Sequence, residues 1–406
     1  MTKNFEFNIN LLFFFLATLC AASIIFIIFP KIVYGFFIYP IYEDKRLYLF
    51  EDYNQIIAVI KCKSLGIDVY TLNPCDRLGR IHSYGNSFFF IPFYDHLNKF
   101  YFIYFPFLTI IFFLLVIAVH FNFKSFKQIF LFLIFLFNPS TVLLVERLNF
   151  DIFIFLFTVV ICYFRKSLLS LIIILFLTLS KFYPVVLSFI FFLNNKRFRN
   201  NLALFIIFFI SIFSFGKDYF QVFLDILINK DLLVSADYKF NFSFWALKRI
   251  PILSNNFSQN FLMLLSIIFF LLFYFVGILL GMNLVKKNLI FKNFNYFETL
   301  YICCCSILIL TFFLHHNLYY RLVFIFGLIP LSLQRSRQCK FFNYSINFII
   351  LYLLFFSLSN YFSLFLENDF LLIFRYMFDI CLVSIISGLF TILGFNLLKS
   401  KFQFVY

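Results

Sequence analysis

The sequence predicts an all-α polytopic membrane protein of about twelve transmembrane helices, a single integral domain with a long first extracytoplasmic loop. Three observations carry that expectation. Its 406 residues are 64% apolar and only 13% charged, with 75 Phe and a mean hydropathy of +0.98, too little polar surface for a water-soluble globule. The apolar residues fall in runs that approach or reach the length of a bilayer crossing, separated by short connections. Those short connections are basic, while almost all acids fall in the other ones.

In chain order, Leu11 to Phe29 is the first expected span. A cleaved signal peptide has a shorter apolar core ending in small residues; here ATLCAAS lies inside a run that continues for several residues, so an uncleaved anchor is expected. Residues 41–99 form the first outer loop. Further spans are expected near Phe100 to His120, Ile129 to Val145, Ile152 to Phe164, the short pair Leu168 to Ser180 and Tyr183 to Leu193, and Leu202 to Phe215. The last ones fall near Phe261 to Val285, Phe297 to Leu314, Tyr319 to Leu333, Ile346 to Asn360 and Leu371 to Leu398. The second long outer segment, 216–260, has room for one or two interfacial helices around Trp245.

Orientation follows from Lys124 and Lys127, Arg165 and Lys166, the Lys196 to Arg199 cluster, Lys286, Lys287 and Lys292, Arg335, Arg337 and Lys340, and Lys399 and Lys401. These alternate correctly with the spans, which places them and both termini in the cytoplasm of a cell (inner) membrane protein. The net charge of +15 is then explained by topology, and no nucleic-acid partner is expected. Chemistry is expected outside the cytoplasm, at helix ends where water and a lipid headgroup meet. The excess of Phe over Ala and Gly fits the drift of an AT-rich genome and carries no functional weight.

The first outer loop holds Glu43, Asp44, Glu51, Asp52, Asp68 and Asp76, a third of the 18 acids. The pair Asp52-Tyr53 opens an amphipathic segment whose Ile56, Ile57 and Ile60 can lie on the membrane, and Gly66 stops it before the Asp68-x-Tyr70 turn. Asp52 reads either as a reactive carboxylate or as a solvated acid paired with Lys45 or Arg46. Cys62 and Cys75 share the loop and can pair if it lies outside the cytoplasm. Cys303, Cys304 and Cys305 point around a helix axis, which favours packing over a metal site.

On the same face, ERLNFD (Glu146 to Asp151) links two spans; Glu146, Arg147, Asn149 and Asp151 either face inward or form a solvated hairpin tip with a local Glu146/Arg147 pair. Lys181, in SKFYP, either snorkels or catches a phosphate at a hairpin apex. HHNLYYR gathers His315, His316, Tyr320 and Arg321; the spacing lacks further metal ligands, and phosphate recognition through Arg321 fits it better. Gly277 and Gly281 form a GxxxG, in most cases a close helix contact.

With these residues in hand, the chain resembles the polyprenyl-phosphate-sugar-dependent glycosyltransferases of the GT-C fold, and among them glycosyltransferase family 87. The resemblance rests on Asp52, Tyr53, Gly66, Asp68 and Tyr70 of the first loop, on NPS and ERLNFD (Asn138 to Asp151), on KFYP (Lys181 to Pro184) and on NLYYR (Asn317 to Arg321). Leu148 stands where relatives commonly have Gly, and Val69 where they have Pro. The resemblance implies a GT-C-like fold and a hexosyltransferase, mannose-like, that moves sugar from a polyprenyl-phosphate donor to a glycan or glycolipid acceptor. It implies Asp52 as the general base, with Arg321, Lys181, His316 and Arg147 at the donor phosphate. Tyr53, Asp68, Tyr70, Glu146, Asn149, Asp151, His315 and Tyr320 are the further substrate-binding candidates. The first loop has no Asp-x-Asp motif, so neither a metal nor another cofactor is invoked. Two rival readings stay open: a transporter or flippase of lipid-linked saccharide, and a structural partner in an envelope assembly. A transporter commonly shows internal repeats, and none is visible.

Overall fold

The computed structural model describes residues 50–77, 79, 104–121, 125–165, 167–190, 206, 209, 210, 242, 244, 246, 250–286, 295–313, 319–336, 339–366 and 369–402. The expected span Leu11 to Phe29, most of Leu202 to Phe215, Lys45, Arg46, Trp245, His315 and His316 lie outside them, as does the side chain of Tyr320. Every regular element among the described residues is helical. The first half contains α1 Glu51–Ser64, α2 Phe105–His120, α3 Phe126–Leu136, α4 Pro139–Arg147, α5 Asp151–Tyr163 and α6 Leu168–Ser180, followed by a 3₁₀-helix Tyr183–Phe189. The second half contains α7 Pro251–Asn256, α8 Gln259–Lys286, α9 Tyr296–Phe313, a 3₁₀-helix Tyr319–Leu328, α10 Ile329–Arg335, α11 Lys340–Leu366 and α12 Asp369–Phe402.

The described residues thus form an all-helical membrane protein. Among the described residues four helices, α8, α9, α11 and α12, are long and apolar enough to cross a bilayer, or five spans if α3 and α4 count as one broken crossing. The other expected spans that are described are shorter. At 13 residues each, α5 and α6 rise roughly 20 Å, against a hydrocarbon core of about 30 Å. The run Ile129 to Val145 is two helices bent by 51°. The break lies at Asn138-Pro139, where proline cannot continue the preceding helix and Asn138 caps the next one by accepting the Ser140 N–H at 3.0 Å. The runs from Tyr183 and Tyr319 begin as 3₁₀-helices. A hydropathy average passes over such breaks because the residues on both sides are equally apolar.

Small residues set the packing. The GxxxG of α8 lies against α12, as the sequence suggested: a Cβ at Gly277 would run into the backbone of Ile385, and one at Gly281 would stand 2.9 Å from Ile392 Cβ. Gly388 of α12 meets α8 from the other side, where its Cβ would stand 2.7 Å from Ile278 N. In an apolar solvent such close van der Waals contact drives helix association. Helix α9 is the hub, with 72% of its span window buried against 17% for α8. Its Cys303, Cys304 and Cys305 are packing residues, fully or almost fully buried, and Gly327 leaves room for the Cys304 side chain.

One end of α9 is tied to its neighbours by polar contacts. Asn295 and Glu298 cap the helix reciprocally at 3.0 and 2.9 Å. Arg335 pairs with Glu298, Arg165 donates to Thr299 Oγ1 at 2.8 Å, and His120 Nε2 meets Tyr296 Oη at 2.6 Å.

Helix α1 and its loop prepare the site. Tyr53, Ile56, Ile57 and Ile60, at helical spacing, are buried in the main core. This corrects the expectation that the isoleucines lie on the membrane: α1 is clasped by the bundle. A separate small cluster of Val59, Cys62 and Val69 covers another face of α1 with its own loop. Gly66, at φ 74, ends the helix, with its N–H on Lys63 O and that of Ile67 on Cys62 O. A Cys62–Cys75 disulfide closes the loop.

Candidate functional site

Four segments deliver charged side chains to one buried place. Phe50, in the left-handed conformation at φ 63, donates its N–H to Glu146 O at 2.7 Å and so docks the start of α1 on the end of α4. Asp52 therefore falls in the first turn of α1, and Arg147 is the last residue of α4. Leu148, at φ 44, turns the chain sharply. Asn149 then bonds the Asp151 N–H through Oδ1 at 3.0 Å, and α5 begins. Lys181 follows α6 in extended backbone, Tyr183 opens one 3₁₀-helix, and Arg321 sits in the other.

The side chains interlock. Asp52 Oδ1 accepts Arg147 Nε at 2.9 Å and Nη2 at 2.5 Å, while its Oδ2 accepts Asn149 Nδ2 at 2.5 Å. Asn149 Oδ1 also accepts Lys181 Nζ at 3.1 Å, so the amide joins the two aspartates' partners. Lys181 donates to Asp151 Oδ1 at 2.5 Å, Tyr183 Oη donates to the same oxygen, and Arg321 Nε stands 3.4 Å from Asp151 Oδ2. The Arg321 guanidinium lies 5.0 Å from the Tyr183 ring centre. Asp52 and Lys181 are each 4% exposed, and Asn149 and Asp151 are fully buried. At Asp151 two cations, Lys181 and Arg321, face one carboxylate. Asp52 pairs with Arg147.

The sequence candidates divide clearly. Asp52, Arg147, Asn149, Asp151, Lys181 and Arg321 come together. The solvated-tip reading of ERLNFD is corrected, because Arg147 is buried and paired with Asp52, and Lys181 does not snorkel. Glu146 is buried beside them in the chain and contributes its backbone carbonyl to Phe50. Tyr53 is 5% exposed and stacks on Phe105 at 5.8 Å, in line with Phe153 beyond, so one ring face is committed to packing. Asp68 is used by its own turn, where its carboxylate accepts the Tyr70 N–H at 3.1 Å and the Thr71 hydroxyl at 3.0 Å. Tyr70 lies under Lys63 in that loop. Among the described residues no group of three His, Cys, Asp or Glu is arranged to hold a metal ion.

Sequence reading missed Tyr183, although it stands in the KFYP motif, and a second group formed by Tyr319, Tyr352, Arg375 and Asp379. An Arg and an Asp four residues apart inside an apolar run were the available signal for the second group. Among the described residues the only non-glycine residues at positive φ are Phe50 and Leu148. Both adjoin this site, where strained backbone is most often retained for function. Compared with protein families, curated proteins and solved structures, the chain matches none.

Proposed function

We propose that the protein is a GT-C-type membrane glycosyltransferase, similar to glycosyltransferase family 87, that moves a hexose from a polyprenyl-phosphate donor to an extracytoplasmic glycan or glycolipid. The observation that carries this reading is the meeting of Asp52, Arg147, Asn149, Asp151, Lys181 and Arg321 in one buried hydrogen-bonded cluster. Ionisable groups are costly inside an apolar bundle and are retained there for chemistry or transport. This set answers the demands of glycosyl transfer from a lipid phosphate. As the acceptor oxygen attacks the anomeric carbon, its proton passes to the Asp52 carboxylate. The bond from that carbon to the phosphate oxygen breaks, and its electron pair leaves with the polyprenyl phosphate. In this reading Lys181 and Arg321, which both approach Asp151, offer positive charge to that departing anion. Arg147 and Asn149 fix the base. One displacement without an enzyme nucleophile inverts the anomeric configuration.

In this reading about twelve helices span the inner membrane, with both termini cytoplasmic and the Asp52 loop outside. The Cys62–Cys75 disulfide supports that side, because such bonds persist in oxidising compartments. One observation favours a transporter of lipid-linked saccharide: the broken α3–α4 crossing, since discontinuous helices line substrate paths. At this break, however, the protein meets its own polar groups. Asn138 donates to Leu353 O at 3.1 Å and Ser357 Oγ at 3.2 Å.

The test is consumption of a polyprenyl-phosphate hexose by the detergent-purified protein with envelope acceptors. Lys181→Ala and Arg321→Ala should impair donor use more than acceptor use, and Arg321→Lys should rescue little, because a point charge does not replace a planar fork. A wild-type protein that leaves the donor intact yet moves lipid-linked saccharide across liposomes would decide for the transporter.

A further inference from the structure

The second buried charged cluster grips the same 3₁₀-helix that carries Arg321. Asp379, fully buried in α12, accepts the Tyr319 hydroxyl on Oδ2 at 3.0 Å and the Tyr352 hydroxyl of α11 on Oδ1 at 2.6 Å. Arg375, one turn earlier on α12 and 2% exposed, places its guanidinium 4.4 Å from the Tyr319 ring centre and 5.5 Å from that of Phe356. Phe356 meets Tyr319 edge to face at 4.5 Å. Contacts from two helices therefore fix one phenol.

Tyr319 opens the 319–328 helix, and Arg321 follows two residues later. A 3₁₀-helix has poor hydrogen-bond geometry and seldom exceeds about four residues. This one has 10, so tertiary contacts must impose its shape. Asp151 holds it at Arg321 and Asp379 holds it at Tyr319. Arg321 Nε stands 3.4 Å from Asp151 Oδ2, and the backbone that Tyr319 anchors sets where that side chain starts.

We propose that Asp379 is a positioning residue for Arg321: acting through the Tyr319 hydroxyl, it fixes the 319–328 segment so that the guanidinium reaches the donor phosphate. Tyr352 supplies the second donor that orients the carboxylate, and Arg375 supplies the countercharge. The duty given to Arg321 rests on the glycosyltransferase reading, whereas the mechanical link from Asp379 to the segment does not.

Hydrogen–deuterium exchange of the full-length protein in detergent separates the two. Tyr319→Phe, which removes one hydroxyl, and Asp379→Asn should speed exchange across 319–328 by about tenfold while α1 and α8 keep wild-type rates, as expected for local opening. With a polyprenyl-phosphate hexose, donor KM should rise about tenfold in both variants, with Asp379→Glu partly restoring it. In an Arg321→Ala background Tyr319→Phe should add almost nothing to donor KM, because the two act in series. Unchanged exchange across 319–328 in both variants overturns the proposal, and so does an equal rise in every peptide, which would mean a general structural role. If the wild type consumes no lipid-phosphate hexose, the functional reading fails while the exchange data still decide the link.

Discussion

Replacing Asp52 by Asn tests the site most directly, and the structure changes what that substitution should do. Seen from the sequence, an amide of equal size looks harmless to folding. In the structure three N–H groups converge on the Asp52 carboxylate, two from Arg147 and one from Asn149. An introduced amide has only one oxygen, so its NH₂ must face a donor in either orientation. Asn149 cannot flip to help, because its own oxygen is held by Lys181 and the Asp151 N–H. The variant also leaves the buried Arg147 charge without its carboxylate, a loss of about 3–5 kcal/mol. At roughly 1 °C per kcal/mol for a chain of this size, thermal unfolding in detergent should begin about 4–6 °C lower. Replacing both partners, as Asp52→Leu with Arg147→Met, removes both charges together and leaves the Asn149 amide unsatisfied, about 1–3 kcal/mol. The double variant should therefore be more stable than either single one, yet inactive. Per folded molecule, Asp52→Asn should turn over at least about 100-fold more slowly, as for a lost general base. Single variants that melt at the wild-type temperature, or a double variant worse than both, would refute the buried-pair reasoning.

Leu148 combines a left-handed backbone with a fully buried side chain. Leu148→Gly loses about 2–5 kcal/mol of packing but recovers roughly 1–2 from the strained turn, so it should melt above Leu148→Ala, the reverse of the usual order. Gly277→Ala should cost about 1–3 kcal/mol by forcing a Cβ into the α12 backbone. Gly394→Ala, in the same helix pair but with nothing within 4 Å, should be neutral or stabilising; equal melting points for the two would remove the close-contact explanation. Cysteine reporters replacing Lys286, at the end of α8, and Asn256, at the end of α7 just before α8 begins, should differ in intact cells, the first resisting impermeant thiol reagents and the second reacting. Labelling at Lys286 alone would invert the orientation.

Much of the site was legible in the sequence because the background is so apolar. Against 13% charged residues, Asp52, Arg147, Asp151, Lys181 and Arg321 each stand out, and the cost of burying a lone charge predicts that they find one another. What could not be read was who pairs with whom. Asp52 meets Arg147 across 95 positions, and the turn that aims Arg147 is made by Leu148, a residue with no turn signal, where glycine would have announced it. The same gap hid the 319–328 helix, since a 3₁₀ segment and an α-helical span share one hydropathy profile. Asp68 shows a different limit: its Asp-x-Tyr motif reads as a binding group while its carboxylate serves a local turn, because a turn and a ligand site ask for the same short acid. In a chain this hydrophobic, composition locates the polar groups, but backbone irregularities decide where they point. Phe50 and Leu148 lie at those irregularities, and the Phe50 N–H to Glu146 carbonyl bond joins the two segments that bring Asp52 to Arg147.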